Sequence, residues 1–291
     1  MTKEKLHEIC WEEAGTEDFI LPDIIDTDFQ KLLLDFAKKQ IDCGVDAIWI
    51  DVLYVQAQIF SRLAKEEGKD RINNPAIEAS VEAASHIVDE IHKYGRSKGK
   101  EIYVGSWSYE EQYKYGFPKD SYPKFDLVTM SPSVEEVKNK RLNEEEWKEK
   151  IRLTKEIYGQ EIPIIAFIDW SFTRDTPLGV FSQTLTKEEA NEALRNFDKF
   201  FTENGIIFAY PVHGGFMGRD ATILAFGKSY KYDSLAPEFQ TYETIKELAQ
   251  EKAKNEKGGL AGMRFATAHP NAQQSLALRI SPERYTPLPF I

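Results

Sequence analysis

Apolar positions along the chain follow two alternating periods. From about Asp28 to Cys43, Phe29, Leu32, Leu33, Phe36, Ala37 and Ile41 recur at helical spacing and stop at Gly44, a residue type suited to the left-handed turn that ends a helix. Asp26 or Thr27 is its expected cap. The run Gly44 to Tyr54 then predicts a buried strand. Alternate side chains of a strand share a face, so Ile48 and Ile50 point one way while Ala47, Trp49 and Asp51 point the other. Val55, Ile59, Phe60 and Leu63 predict a short helix above the strand end. Asn74-Pro75 opens a long helix whose apolar face, from Ile77 to Tyr94, runs as far as Gly95.

The same alternation continues. Strands are predicted at Glu101 to Trp107, Phe125 to Ser133, Ile164 to Trp170 and Ile206 to Pro211. Helices are predicted between them: one from Val134 to Tyr158 capped by Ser133, and one capped by Thr186 with Glu189 three residues on, the capping-box spacing. A last amphipathic helix is expected from Pro237 to Lys254. Phe19-Ile20-Leu21-Pro22 reads as a sixth, incoming strand. Residues 257–291 scatter Gly, Pro and Gln without a period and read as an irregular tail, leaving residues 1–256 as one domain.

Strand-helix alternation implies an α/β fold with a parallel sheet covered by helices, either a (β/α)8 barrel or a barrel-like parallel sheet. Six strands fall short of the eight of a closed barrel, so strands would be missing on the amino-terminal side, or the sheet is open or closed in an unusual way. In such folds chemistry sits at the carboxyl ends of the strands. Asp51 and Asp169 both occupy that position beside a Trp. An Asp there also caps a following helix or bonds a loop amide; the recurrence of the Asp–Trp pairing on two strands favours a shared site.

Composition narrows the partners. With 291 residues, 42% of them hydrophobic and 12% aromatic, the chain has material for one large core. A net charge of −11 disfavours nucleic acid and anionic membrane as main partners. No apolar run is long enough to span a membrane and no signal-peptide core is present, so the chain reads as cytoplasmic by default, or secreted had a signal been removed. Cys10 and Cys43 have no metal-like spacing, and neither a metal nor another cofactor is expected. Abundant Lys and Glu at helix-face spacing, as around Lys148 and Lys246, is the bias of heat-adapted proteins. The oligomeric state is not legible.

The run Cys43-Gly44-Val45-Asp46-Ala47-Ile48-Trp49-Ile50-Asp51 resembles the strand that bears the nucleophilic Asp in barrel glycoside hydrolases of the α-amylase and α-galactosidase types, where a G-x-D-G-x-x-x-D pattern is common; Ala47 stands here for the second Gly. The resemblance implies hydrolysis of an oligo- or polysaccharide by two carboxyl groups, one ionised against a cationic transition state and one protonated beside the leaving oxygen. Asp51 would be the ionised group. Its partner would be Asp169, or Glu110 or Glu111 just past another strand end, both of which read equally as solvated loop residues. Trp49, Tyr54, Trp107, Tyr109 and Trp170 offer flat faces for a sugar, each singly also a candidate core residue. Tyr210 ends the last strand.

Other readings stay open. His213 fits a proton shuttle, a substrate hydrogen-bond donor, a metal ligand or a turn residue, and Arg219 fits a carboxylate partner. The glycine-rich stretch Gly214 to Arg219 also suits a phosphate, which would make the protein a phosphosugar-acting barrel enzyme. No Lys lies at a strand end for a Schiff-base mechanism. A non-catalytic carbohydrate-binding barrel would use the same aromatics without turnover.

Overall fold

The computed structural model describes residues 23–51, 53–69, 74–108, 125–169, 175–211 and 240–258. In chain order they form α1 (Thr27–Asp42), β1 (Ala47–Trp49), α2 (Val55–Glu66), α3 (Pro75–Ser97), β2 (Tyr103–Trp107), β3 (Leu127–Met130), α4 (Val134–Asn139), α5 (Glu144–Tyr158), β4 (Ile164–Phe167), α6 (Pro177–Gln183), α7 (Lys187–Glu203), β5 (Ile207–Ala209) and α8 (Tyr242–Gly258). The strand expected at Phe19–Pro22 and residues 259–291 of the expected tail lie outside the described residues. A division between two units falls after Ile245, within α8; of the second unit the described part is the remainder of that helix.

Local chemistry explains where the helices start. The Asp26 carboxylate accepts from the backbone N–H groups of Asp28 and Phe29, each at 2.9 Å, satisfying donors that the first turn of α1 leaves unpaired. Asn74 caps α3 with Pro75 in its first turn, and Thr186 and Glu189 close a capping box on α7. Gly44 carries the chain out of α1 at φ 104°, a value costly for any residue with a Cβ. The single helix expected over Val134 to Tyr158 is two. Lys140 turns left-handed at φ 53° and ends α4, and Asn143 caps α5 by accepting from Glu146. Helix α6, opened by Thr176-Pro177, was not expected at all.

All five strands are parallel and lie in the order β1-β2-β3-β4-β5. A sheet whose spatial order equals its chain order is wound in one direction, and crossovers of one hand then carry the helices to one face. Burial follows that rule. Ile48, Val104, Ser106, Val128, Met130, Ile164, Ala166 and Phe208 are buried and point to the helices. Of the alternate positions, Ala47, Trp49, Tyr103, Trp107, Leu127, Ile165, Phe167, Ile207 and Ala209 are half-buried or exposed, while Gly105 and Thr129, on the central strands, are buried.

Aromatic packing dominates the helix side near β4 and β5. Trp147 of α5 meets Phe201 of α7 edge-on with centroids 4.8 Å apart, and Phe201 lies 5.1 Å from Phe208 of β5. Contacts of this kind contribute about 1 kcal/mol each beyond the area they bury. At the other end of the sheet α3 approaches closely because Gly95 has no side chain: a Cβ there would lie 2.4 Å from Ile102. Among the described residues no helix is long and apolar enough to cross a membrane.

Candidate functional site at the carboxyl ends of the strands

Because the strands are parallel, their carboxyl ends share one rim, and Asp51, Trp107, Ser131, Asp169 and Tyr210 all lie there, within two residues of a strand end. Parity decides which face each side chain serves. Trp49 and Asp51 continue the open side of β1, Trp107 that of β2, and Phe167 and Asp169 that of β4, whereas Phe208 and Tyr210 continue the helix side of β5.

Three aromatic rings form the floor on the open side. Trp49 and Trp107 meet edge to face at 5.6 Å and 78°, Trp49 and Phe167 at 6.1 Å and 79°, and Trp107 leans on Phe167 at 5.4 Å and 31°. Trp49 starts on β1 and crosses β2 to reach β3, where its indole Nε1–H donates to Thr129 Oγ1 at 3.0 Å. The residue paired with Trp49 on β2 is Gly105. The Thr129 hydroxyl in turn donates to the Ser106 carbonyl at 3.2 Å, and the Ser106 hydroxyl donates to the Ile50 carbonyl at 2.7 Å. These bonds tie β1, β2 and β3 together beneath the rim and fix Trp49, which is still 41% exposed.

Asp51 sits directly above. Trp107 Nε1–H donates to its Oδ1 at 2.8 Å, so the carboxylate is exposed but held in place. Asp169 is anchored through its backbone: its N–H donates to Ser131 Oγ at 3.1 Å, and its carbonyl accepts from Leu178 at the start of α6. One side of the rim thus offers an oriented carboxylate beside a fixed, accessible aromatic face. Hydrogen-bond acceptors and an indole plane of this kind can hold a polyhydroxylated ring.

Two of the expected site residues make contacts below the rim, Tyr54 in the core and the half-buried Tyr210 on the helix side. Tyr54 is 1% exposed and packs edge-on against Phe125 at 5.9 Å, because helix α2 begins immediately after it and turns it inward. Tyr210 donates its hydroxyl to Asp198 of α7 at 2.7 Å, since it shares parity with the buried Phe208. Tyr109, Glu110, Glu111, Trp170, His213 and Arg219 lie outside the described residues. Thr129 and Phe167 were missed as site residues, although period-two alternation places both on the face of Trp107 and Asp169.

Among the described residues, cavities also occur away from this rim. One of about 460 Å³ is bordered by His92, Arg96, Lys100 and Asp126 at the amino ends of β2 and β3; another of about 250 Å³ lies between the α4–α5 turn and α7. In the first, His92 pairs with Asp126 at 2.8 Å, and the same Asp126 oxygen accepts the Val104 N–H at 2.7 Å, so Asp126 works as a strand-end clamp. Among the described residues no group of three or more His, Cys, Asp or Glu side chains could hold a metal ion. Comparison of the chain with protein-family models and with curated proteins gives no match.

Proposed function

We propose that the protein is a glycoside hydrolase, built on a barrel or barrel-like sheet and acting on a neutral oligo- or polysaccharide, with Asp51 as its ionised carboxylate. The observation that carries this reading is the Trp107–Asp51 hydrogen bond beside the exposed Trp49 ring. A glycosidic bond breaks through a state with positive charge on the sugar, so a fixed carboxylate next to an apolar sugar platform supplies what that state needs. A one-way wound sheet with its open face inward and its helices outward is also the plan of a barrel. Asp169, which follows the end of β4 by two residues as Asp51 follows that of β1 and shares the open-face parity, is the described candidate for the second carboxyl group; Glu110 and Glu111 remain alternatives.

Replacing Asp51 by Asn keeps its shape and removes its charge. Turnover of a responsive glycoside should fall on the order of 10³-fold or more while binding persists. Release of reducing ends from a panel of glycosides and polysaccharides is the measurement, and full activity in Asp51→Asn sinks the proposal. A carbohydrate-binding protein without catalysis would use the same Trp49 face, and it is separated by the absence of turnover in the parent chain.

A further inference from the structure

The two described tryptophans at the rim are both candidates for sugar-binding rings, yet their surroundings differ. Trp49 is 41% exposed, and its indole N–H is satisfied by a buried threonine. Trp107 is half-buried between two neighbours, with Trp49 edge-on at 5.6 Å and Phe167 tilted against it at 5.4 Å. Its one polar atom is spent on Asp51. A ring boxed in this way has little free face for a ligand. Its N–H, by contrast, bonds the carboxylate that the proposed chemistry uses in its ionised form.

We propose that Trp107 is a positioning residue for Asp51 rather than a substrate platform, and that platform work falls to Trp49 alone of the two. The consequence for catalysis rests on the glycosidase reading. A hydrogen bond from the indole N–H to one carboxylate oxygen limits the rotation of the Asp51 side chain, so one oxygen is held and the other is left to face the substrate. Phe167 and Trp49 keep the donor itself from turning. Loss of the N–H should therefore act on the chemical step and loss of the Trp49 face on binding.

The test uses the full chain labelled with ¹⁵N-tryptophan. The Trp107 indole signal is identified by its loss in Trp107→Phe and, independently, by its contacts with Phe167. In Asp51→Asn the charge-assisted bond becomes a neutral one, and the Trp107 indole proton should move upfield further than that of any other of the five tryptophans. On a 4-nitrophenyl glycoside that the parent cleaves, Trp107→Phe should lower kcat roughly ten- to a hundred-fold with KM within about two-fold, as expected for an interaction made chiefly in the transition state. Trp49→Phe should raise KM with a smaller effect on kcat. A Trp107 signal unmoved in Asp51→Asn overturns the positioning role, as does unchanged kcat in a folded Trp107→Phe. Absence of turnover by the parent on every glycoside overturns the glycosidase reading, and the catalytic role with it, even where the indole signal moves.

Discussion

Trp147 donates its indole N–H to Glu136 at 2.8 Å, and both side chains are buried. The same carboxylate accepts from the N–H and hydroxyl of Ser133 at 2.8 and 3.0 Å and from the Asn143 N–H at 2.7 Å. One glutamate thus closes the capping box of α4, fixes the turn into α5 and satisfies the largest ring of the helix layer. Glu136→Ala leaves several of these donors without an acceptor and should cost about 3 kcal/mol. Glu136→Gln turns an NH2 group towards donors and should recover only part of that loss. Urea unfolding midpoints of the two variants check the order.

Gly105 occupies the one position of β2 between Trp49 and Leu127 in register. A Cβ there would lie 2.1 Å from Leu127 Cδ1 and 2.8 Å from its Cγ, so the leucine must change rotamer. Gly105→Ala should destabilise by about 1–3 kcal/mol. In a Leu127→Ala background most of that penalty should vanish, and a double-mutant cycle with thermal unfolding measures the coupling. An additive cycle would show that the clash is relieved elsewhere.

Tyr210 joins the end of β5 to α7 through Asp198, which is 6% exposed. Tyr210→Phe should cost about 1–2 kcal/mol of stability by removing a hydrogen bond to a buried charged group. Because the side chain serves the helix side, affinity for any carbohydrate ligand should stay unchanged. Titration calorimetry alongside denaturant unfolding separates the two effects.

Glu189 gives the fold a local sensitivity to acid. The Thr186 N–H, the Lys140 ammonium and the Thr186 hydroxyl, in that order, hold its carboxyl below the ordinary value of 4.5. In the folded chain it therefore binds a proton less readily than in the unfolded chain. Its contribution is fully present above about pH 4.5 and is lost as pH falls through the lower folded value. Glu189→Gln should flatten the fall of stability with acid in this window and leave the slope above pH 6 unchanged. Thermal unfolding across a pH series checks it.

Strands and caps were legible in the sequence because local physics decides them. The strand centres follow from short apolar runs, and Asp26, Asn74, Ser133 and Thr186 act as caps because each carries a short side-chain oxygen just before a helical period. The break at Lys140 was harder to see, since a lysine in the left-handed region is disfavoured locally and is held there by its surroundings. Side-chain destination was the weakest inference. Alternation alone puts Asp51 on the face of Ala47 and Trp49, and the same rule puts Tyr210 on the face of Phe208, but which of the two faces meets the helices is set by the crossovers. Tyr54 could not be placed that way, because it follows the strand and its orientation is set by the start of α2. The bond between Trp107 and Asp51 joins residues 56 apart in the chain, and only the pairing of β1 with β2 brings them together.

The edge-on pair formed by Trp49 and Trp107 has a use that does not depend on any reaction. Two indoles 5.6 Å apart at 78° are close enough for their ultraviolet transitions to mix, which produces a signed doublet in circular dichroism whose shape depends on the angle between them. A molecule that settles on the exposed Trp49 ring or tugs on Asp51 changes that angle or the polarity around it. The rim carries its own chromophore, and candidate ligands can be screened by light on the unlabelled chain.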